Sequence, residues 1–171
     1  MGSTMKWLKN LVWLFGLQFI FGCADSSTTL SIATGGPAGL YYPIGGGMAS
    51  IWSAHVPGIN VRAEVTGGSV SNVIQVARGE SDLGIAMADV ISDAYKGEGL
   101  FPESLPLRVL LSAYPNVIHV VTVEKTNISS ISDLAGKRVS LGAQGSGTAV
   151  AAQNILSGLG LQESDYASRY L

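Results

Sequence analysis

Past residue 28 the chain alternates short apolar runs with stretches whose apolar positions recur at helical spacing, and glycine, serine and threonine gather at the junctions. Leu30 to Ala33 is a predicted strand, Tyr42 to His55 a helix, Ile59 to Val65 a strand, Ser69 to Arg78 a helix, Leu83 to Met87 a strand and Asp89 to Lys96 a helix. This βαβαβα order with short connections predicts an α/β fold: a parallel sheet with helices on its faces, where ligands lie beyond the carboxyl ends of the strands. In the second strand Val61, Ala63 and Val65 alternate with Asn60, Arg62 and Glu64. One face therefore meets solvent, and the strand belongs towards an edge.

The second half changes character. Leu107 to Ala113 and Val117 to Val123 are β-branched runs that predict two strands, and Tyr114-Pro115-Asn116 between them is either a turn or the crossing from one lobe to another. Ser130 and Asp133 form a capping-box-like start to a short helix that Gly136 can end. A strand over Arg138 to Leu141 and a helix from Gly147 to Ser157 follow. Beyond Gly158-Leu159-Gly160 a polar segment runs to Leu171, in which no strand is predicted to close the unit.

The first two dozen residues carry a different pattern. Lys6 and Lys9 precede an apolar run from Leu11 to Phe21, interrupted by Gln18 alone. That is the layout of an export signal, and the run is shorter than the roughly 20 residues of a membrane-crossing helix. Ile20-Phe21-Gly22-Cys23 resembles the lipobox of bacterial lipoproteins, although Phe21 stands where a small residue is usual. Lipidation at Cys23 and ordinary cleavage near Ala24 both remain open. Cys23 is the only cysteine, so an intrachain disulfide and a cysteine-based metal site are excluded.

Composition narrows the function classes. With 47% hydrophobic residues in 171, the chain can bury a core, and 22 glycines allow many turns and close backbone approaches. Setting the leader's two lysines aside leaves eight basic and twelve acidic residues, a net −4 from Ala24 onward. That sign argues against nucleic acid as a partner.

Three glycine-bearing junctions carry the candidate chemistry. The first, Thr34-Gly35-Gly36-Pro37-Ala38-Gly39-Leu40-Tyr41-Tyr42-Pro43, leads from the first strand into a helix. The second is Thr66-Gly67-Gly68-Ser69-Val70-Ser71-Asn72, and the third is Gly142-Ala143-Gln144-Gly145-Ser146-Gly147-Thr148. Each places exposed backbone N–H groups and hydroxyls at a helix start, which suits a carboxylate or another anion. Any one alone is also an ordinary βα turn. Gly145-x-Gly147 opens like a dinucleotide fingerprint, but Val150 occupies the next required glycine position, and no Lys-Ser or Lys-Thr follows a glycine loop.

The runs LSIATGGPAGLYYPIGGGMAS, VTGGSVSNV, GESDLGIAMADV, LSAYPNVIHVV and ISDLAGKRVSLGAQGSGT together resemble the TAXI family of TRAP-transporter solute-binding proteins, over almost all of residues 30–161. The resemblance implies a periplasmic-binding-protein fold: two doubly wound α/β lobes closing on a small solute in the cleft between them. It places the first lobe at residues 28–113 after a signal segment at 1–24, and the second at 116–171, incomplete in this chain. It further implies a small-molecule ligand bearing a carboxylate, such as an amino acid like glutamate. The other partners would be the membrane permease subunits of a TRAP transporter, with contact to the membrane itself only through a lipid anchor. No cofactor, metal or catalytic residue is expected, and the location is the periplasm or another extracytoplasmic space.

Carried over by motif, the ligand-binding set is Thr34, Gly35, Gly36 and Tyr41 from the first junction and Thr66, Gly67, Gly68 and Ser69 from the second. Met87, Ala88 and Asp89 follow the third strand, and Ser146, Gly147 and Thr148 approach from the other lobe. Asp89 has a rival reading as the N-cap of its own helix. His55, His119 and Trp52 read as structural, and Arg62 as solvent-facing. No nucleophile, base and orienting carboxylate combine into a hydrolytic set, so the chain reads as a receptor and not an enzyme. A receptor for an ABC importer is the main alternative, and a ligand-sensing domain or an enzyme on the same fold is a weaker one.

Overall fold

The structure, a computed structural model, describes residues 27–171. The expected signal segment at 1–24, with Cys23, lies outside them. The first sheet has strand order β2-β1-β3, built from β1 (Thr28–Ala33), β2 (Ile59–Glu64) and β3 (Leu83–Gly84), all parallel. Three helices alternate with these strands: α1 (Tyr41–His55), α2 (Ser69–Ala77) and α3 (Ala88–Lys96). β2 forms the edge that its alternation predicts, with Val61 buried and Asn60 and Arg62 exposed. Val65, expected to face inward, lies past the strand end and is 57% exposed.

Helices cover both faces of the sheet. Ile32, Ala49 and Val61 form one buried cluster, joined by Trp52 and Met48 of α1, so Trp52 is a core residue as its sequence context suggests. Val73, Val90, Ala94, Phe101 and Leu107 form a second cluster among α2, α3 and the loop that follows. Burying each of the larger aliphatic side chains contributes about 1.5–3 kcal/mol, which fixes the helices on the sheet more firmly than helix propensity alone.

β3 is shorter than expected. Its ladder to β1 covers Leu83 and Gly84, with one more bond from Ile85 N–H to Ala33 O at 3.0 Å. From there side chains of α2 take over the strand's polar groups. Asn72 Nδ2 donates to Ile85 O at 2.6 Å, and Met87 N–H donates to Ser69 Oγ at 3.0 Å. The backbone is satisfied without a longer ladder, which is why the predicted strand stops early.

The second sheet pairs β4 (Arg138–Gly142) with β5 (Ala167–Tyr170), again parallel, around α4 (Gly147–Gly158). The expectation that no strand closes this unit is corrected here. The segment reads as polar because Ser168 and Arg169 dominate it. Yet Tyr166 just ahead of it is 7% exposed and packs with Leu134, Leu141, Ala149, Leu156 and Leu161, which is enough to seat the strand. The capping box at Ser130 and Asp133 is present, on a 3₁₀ turn at Ile131–Leu134.

The two strands expected at Leu107 to Ala113 and Val117 to Val123 do not form. Residues 108–123 form no strand ladder with the described residues, and Val109 (67%) and Val121 (85%) stand in solvent. β-branched sequence favours a pleated, half-buried surface, and without a neighbouring edge it has nothing to pleat against. His119 is therefore exposed and not within a strand.

Candidate functional site

The carboxyl ends of β1, β2 and β3 are tied together by one buried side chain, Asn72. Its Nδ2 donates to Thr34 O and Ile85 O, both at 2.6 Å, and its Oδ1 accepts from Thr66 Oγ1 at 2.6 Å. The ends of β1, β2 and β3 thus all meet on the same amide. Sequence reasoning placed Asn72 in the second junction without giving it a role; the missing signal was that an asparagine on the inner face of an amphipathic helix must find partners.

The second and third junctions touch directly. Val70 N–H donates to Gly145 O at 3.1 Å, linking the start of α2 to the loop before α4. The approach depends on glycine: a Cβ on Gly147 would lie 2.5 Å from Met87 Sδ and 2.6 Å from Ser69 Oγ, and one on Gly67 would lie 3.1 Å from Gln144 O. Gly68 has φ +106°, a conformation that glycine adopts without the strain a side chain brings, and its Cβ would lie 3.2 Å from Ser146 Cα. The N-termini of α2 and α4 therefore face one another. Neither carries an acidic residue in its first turn, so no side-chain charge within the first turn offsets their partial positive charges.

The first junction is built differently. Thr34 is fully buried and its Oγ1 donates to Glu64 O at 2.6 Å, while Gly45 packs so closely on the Thr34 methyl that no Cβ fits there. The chain turns through Gly39 N–H to Gly36 O at 2.9 Å, leaving Gly36 exposed and Gly35 buried beneath the Tyr41 ring. Tyr41 opens α1 and meets Tyr114 edge-on, centroids 6.5 Å apart at 69°. Asn116 Nδ2 donates to the Tyr41 hydroxyl at 3.3 Å. Burial pushes the Tyr114 phenol above its ordinary value, and the neighbouring Tyr41 adds to the effect.

The expected ligand set accordingly divides. Thr66, Gly67, Gly68, Ser69, Met87, Ser146 and Gly147 converge in one contact region, with Thr34 joined to it through Asn72. Thr148 sits exposed in the first turn of α4. Several hydroxyls are already committed: Ser69 is 1% exposed and accepts from Met87, Thr66 Oγ1 accepts from Gly68 N–H at 3.1 Å, and Ser146 Oγ caps α4 by accepting from Ala149 N–H at 3.1 Å. Ala88 and Asp89 are exposed on α3. Asp89 is not the N-cap of α3, which is Met87; it lies in the first turn and its Oδ1 accepts from Val90 N–H at 2.9 Å. Ala88 instead lines a separate groove of about 420 Å³ beside Tyr95, Leu107 and Arg108.

Residues 32–171 match the sequence profile of the NMT1-like family. The chain belongs to the NMT1-like family. That family is of the periplasmic solute-binding type, and the parallel α/β units described above suit it. Among solved structures, this NMT1-like chain is similar to the alkanesulfonate-binding protein SsuA from Xanthomonas axonopodis pv. citri bound to MOPS, at 15% identity and a TM-score of 0.49. The match covers 84% of this chain and 47% of that one, so the chain spans about half the length of that structure. Among the described residues, no helix is long and apolar enough to cross a membrane.

Proposed function

We propose that this chain is the solute-capturing part of an extracytoplasmic receptor for a small carboxylate-bearing organic anion or amino acid, delivered to the permease subunits of a TRAP-type transporter. The observation that carries this reading is the meeting of the α2 and α4 N-termini through Val70 N–H and Gly145 O, from two separate sheets, with no acidic side chain in either first turn. Two helix starts meeting in this way bring two positive dipole ends to one place, which favours a negatively charged solute nearby although Val70 N–H is itself already bonded. Binding, with closure and no turnover, is what such a site supports; its polar groups are backbone N–H and hydroxyls without a paired nucleophile and base.

The family match is to NMT1-like proteins and not to TAXI proteins by name, which keeps a receptor for an ABC importer as the second reading. A thermal-shift screen of the complete mature protein against amino acids, dicarboxylates and alkanesulfonates tests the receptor reading and identifies the ligand class. A bound ligand raises the unfolding midpoint with concentration, by mass action. Thr148→Ala, which alters an exposed hydroxyl at the α4 start, is expected to diminish that shift. If a well-folded protein shifts with no compound of the three classes, the receptor reading fails.

A further inference from the structure

Tyr114 was assigned no role by sequence, and its surroundings single it out. From Arg108 to Lys125 every other residue is exposed, and Tyr114 alone turns inward. It turns onto Tyr41, which itself covers Gly35 in the first junction. Its hydroxyl is shut from solvent and has no hydrogen-bond partner among the described residues. A buried hydroxyl left unpaired works against folding, so one kept beside a glycine loop calls for a partner that arrives from outside.

The neighbouring hydroxyl is prepared in a complementary way. Asn116 donates to the Tyr41 oxygen, which leaves the Tyr41 proton uncommitted. Two phenol O–H groups, held edge to face, therefore stand next to the first junction, each with a proton to give. Both Tyr114 and Asn116 come from the Tyr114-Pro115-Asn116 crossing, so the segment joining the two sheets supplies half of this feature. Donors without matching acceptors suit an oxyanion, whether carboxylate or sulfonate.

We propose that Tyr114 is a specificity-determining ligand contact: its hydroxyl donates to an anionic oxygen of the solute, beside Tyr41. This rests on the receptor reading above. The orphaned hydroxyl is satisfied only when solute is bound, and the aromatic pair gives the solute's apolar part a wall.

The test compares the full chain with Tyr114→Phe and Tyr41→Phe by isothermal titration with L-glutamate, succinate and ethanesulfonate, alongside the ligand-free unfolding midpoint. Tyr114→Phe is expected to weaken binding of whichever probe binds by about tenfold, the loss of one hydrogen bond to a charged group. Its ligand-free midpoint should be unchanged or higher, since the substitution removes a buried unpaired group. The carboxylate and sulfonate arms identify which oxyanion is taken. An unchanged Kd in Tyr114→Phe overturns the proposal while leaving the receptor reading intact, and a lowered midpoint with unchanged Kd assigns Tyr114 to packing. Failure of all three probes to bind the unaltered chain overturns the receptor reading and this inference with it.

Discussion

Asn72 is the residue on which the arrangement of the three strand ends depends most directly, and Asn72→Ala tests that. The substitution deletes two donations at 2.6 Å, to Thr34 O and Ile85 O, and the acceptance from Thr66 Oγ1 at 2.6 Å, all from a side chain with no exposed surface. Each hydrogen bond contributes a net of about 0.5–1.5 kcal/mol, and carbonyls left buried without partners push the cost to the upper end, giving a total of about 3 kcal/mol. For a chain of this size that corresponds to a fall of about 6–12 °C in the unfolding midpoint. Asn72→Asp keeps the shape but turns a donor into an acceptor facing two carbonyl oxygens, so it should destabilise at least as much. Urea unfolding followed by fluorescence is a suitable assay, because Trp52 is the only tryptophan after Ala24 and packs in the cluster behind β1 and β2. A loss below about 1 kcal/mol for Asn72→Ala would refute the clamp, since it would mean the two carbonyls find water or other donors at little cost.

Gly147→Ala places a methyl group against Met87 and the buried Ser69 hydroxyl; Met87 can swing aside but Ser69 is fixed by its bond to Met87 N–H, so a loss of about 1–3 kcal/mol is expected by urea unfolding. Gly46→Ala is the opposite case: it meets open space in the interior of α1, and replacing a helical glycine should stabilise by about 0.5–1 kcal/mol in the same assay. Asp133 has its carboxyl lowered from 3.8 to about 2, chiefly by the N–H groups of Ser129 and Ser130 at 3.0 and 2.8 Å. A depressed folded value means the contribution is whole above pH 3.8 and is lost as pH falls through about 2; unfolding midpoints measured between pH 5 and 2 should show this component in the native chain and not in Asp133→Asn.

How much of this was legible in the sequence follows from what each signal depends on. The first sheet was readable because its pattern is local: Val61 against Arg62 gives the edge strand, and the glycine junctions mark where strands give way to helices. The failures involve partners far along the chain. Residues 107–123 have strand-forming sequence, but a strand exists only with an edge to join, and that depends on elements no local window contains. β5 is the converse, a strand made by its register with Arg138–Gly142 despite a polar sequence. β3 was overextended because the side chains that end its ladder, Asn72 and Ser69, come from a helix earlier in the chain. Of the candidate site, the sequence marked Thr66, Gly67, Gly68, Ser69, Met87, Ser146 and Gly147, which the fold brings together, but not the bonds that their polar groups make with one another.

That last distinction bears on how a solute is held. Thr34, Thr66, Ser69 and Ser146 were expected to present hydroxyls to a ligand, and each is instead bound to a neighbouring backbone or side-chain group. A solute that took those groups would first have to break bonds each worth about 1 kcal/mol net, and would gain only by making stronger ones. The uncommitted donors lie elsewhere, in the phenols of Tyr41 and Tyr114 and at the exposed Thr148. The glycine and hydroxyl motifs therefore shape this region by letting backbones approach, and on the proposed reading recognition falls to the uncommitted donors beside it. On this argument, alanine at Ser69 should weaken binding only as far as it loosens Met87 and the α4 contact, whereas changes at Tyr114 or Thr148 should act on affinity with little effect on stability.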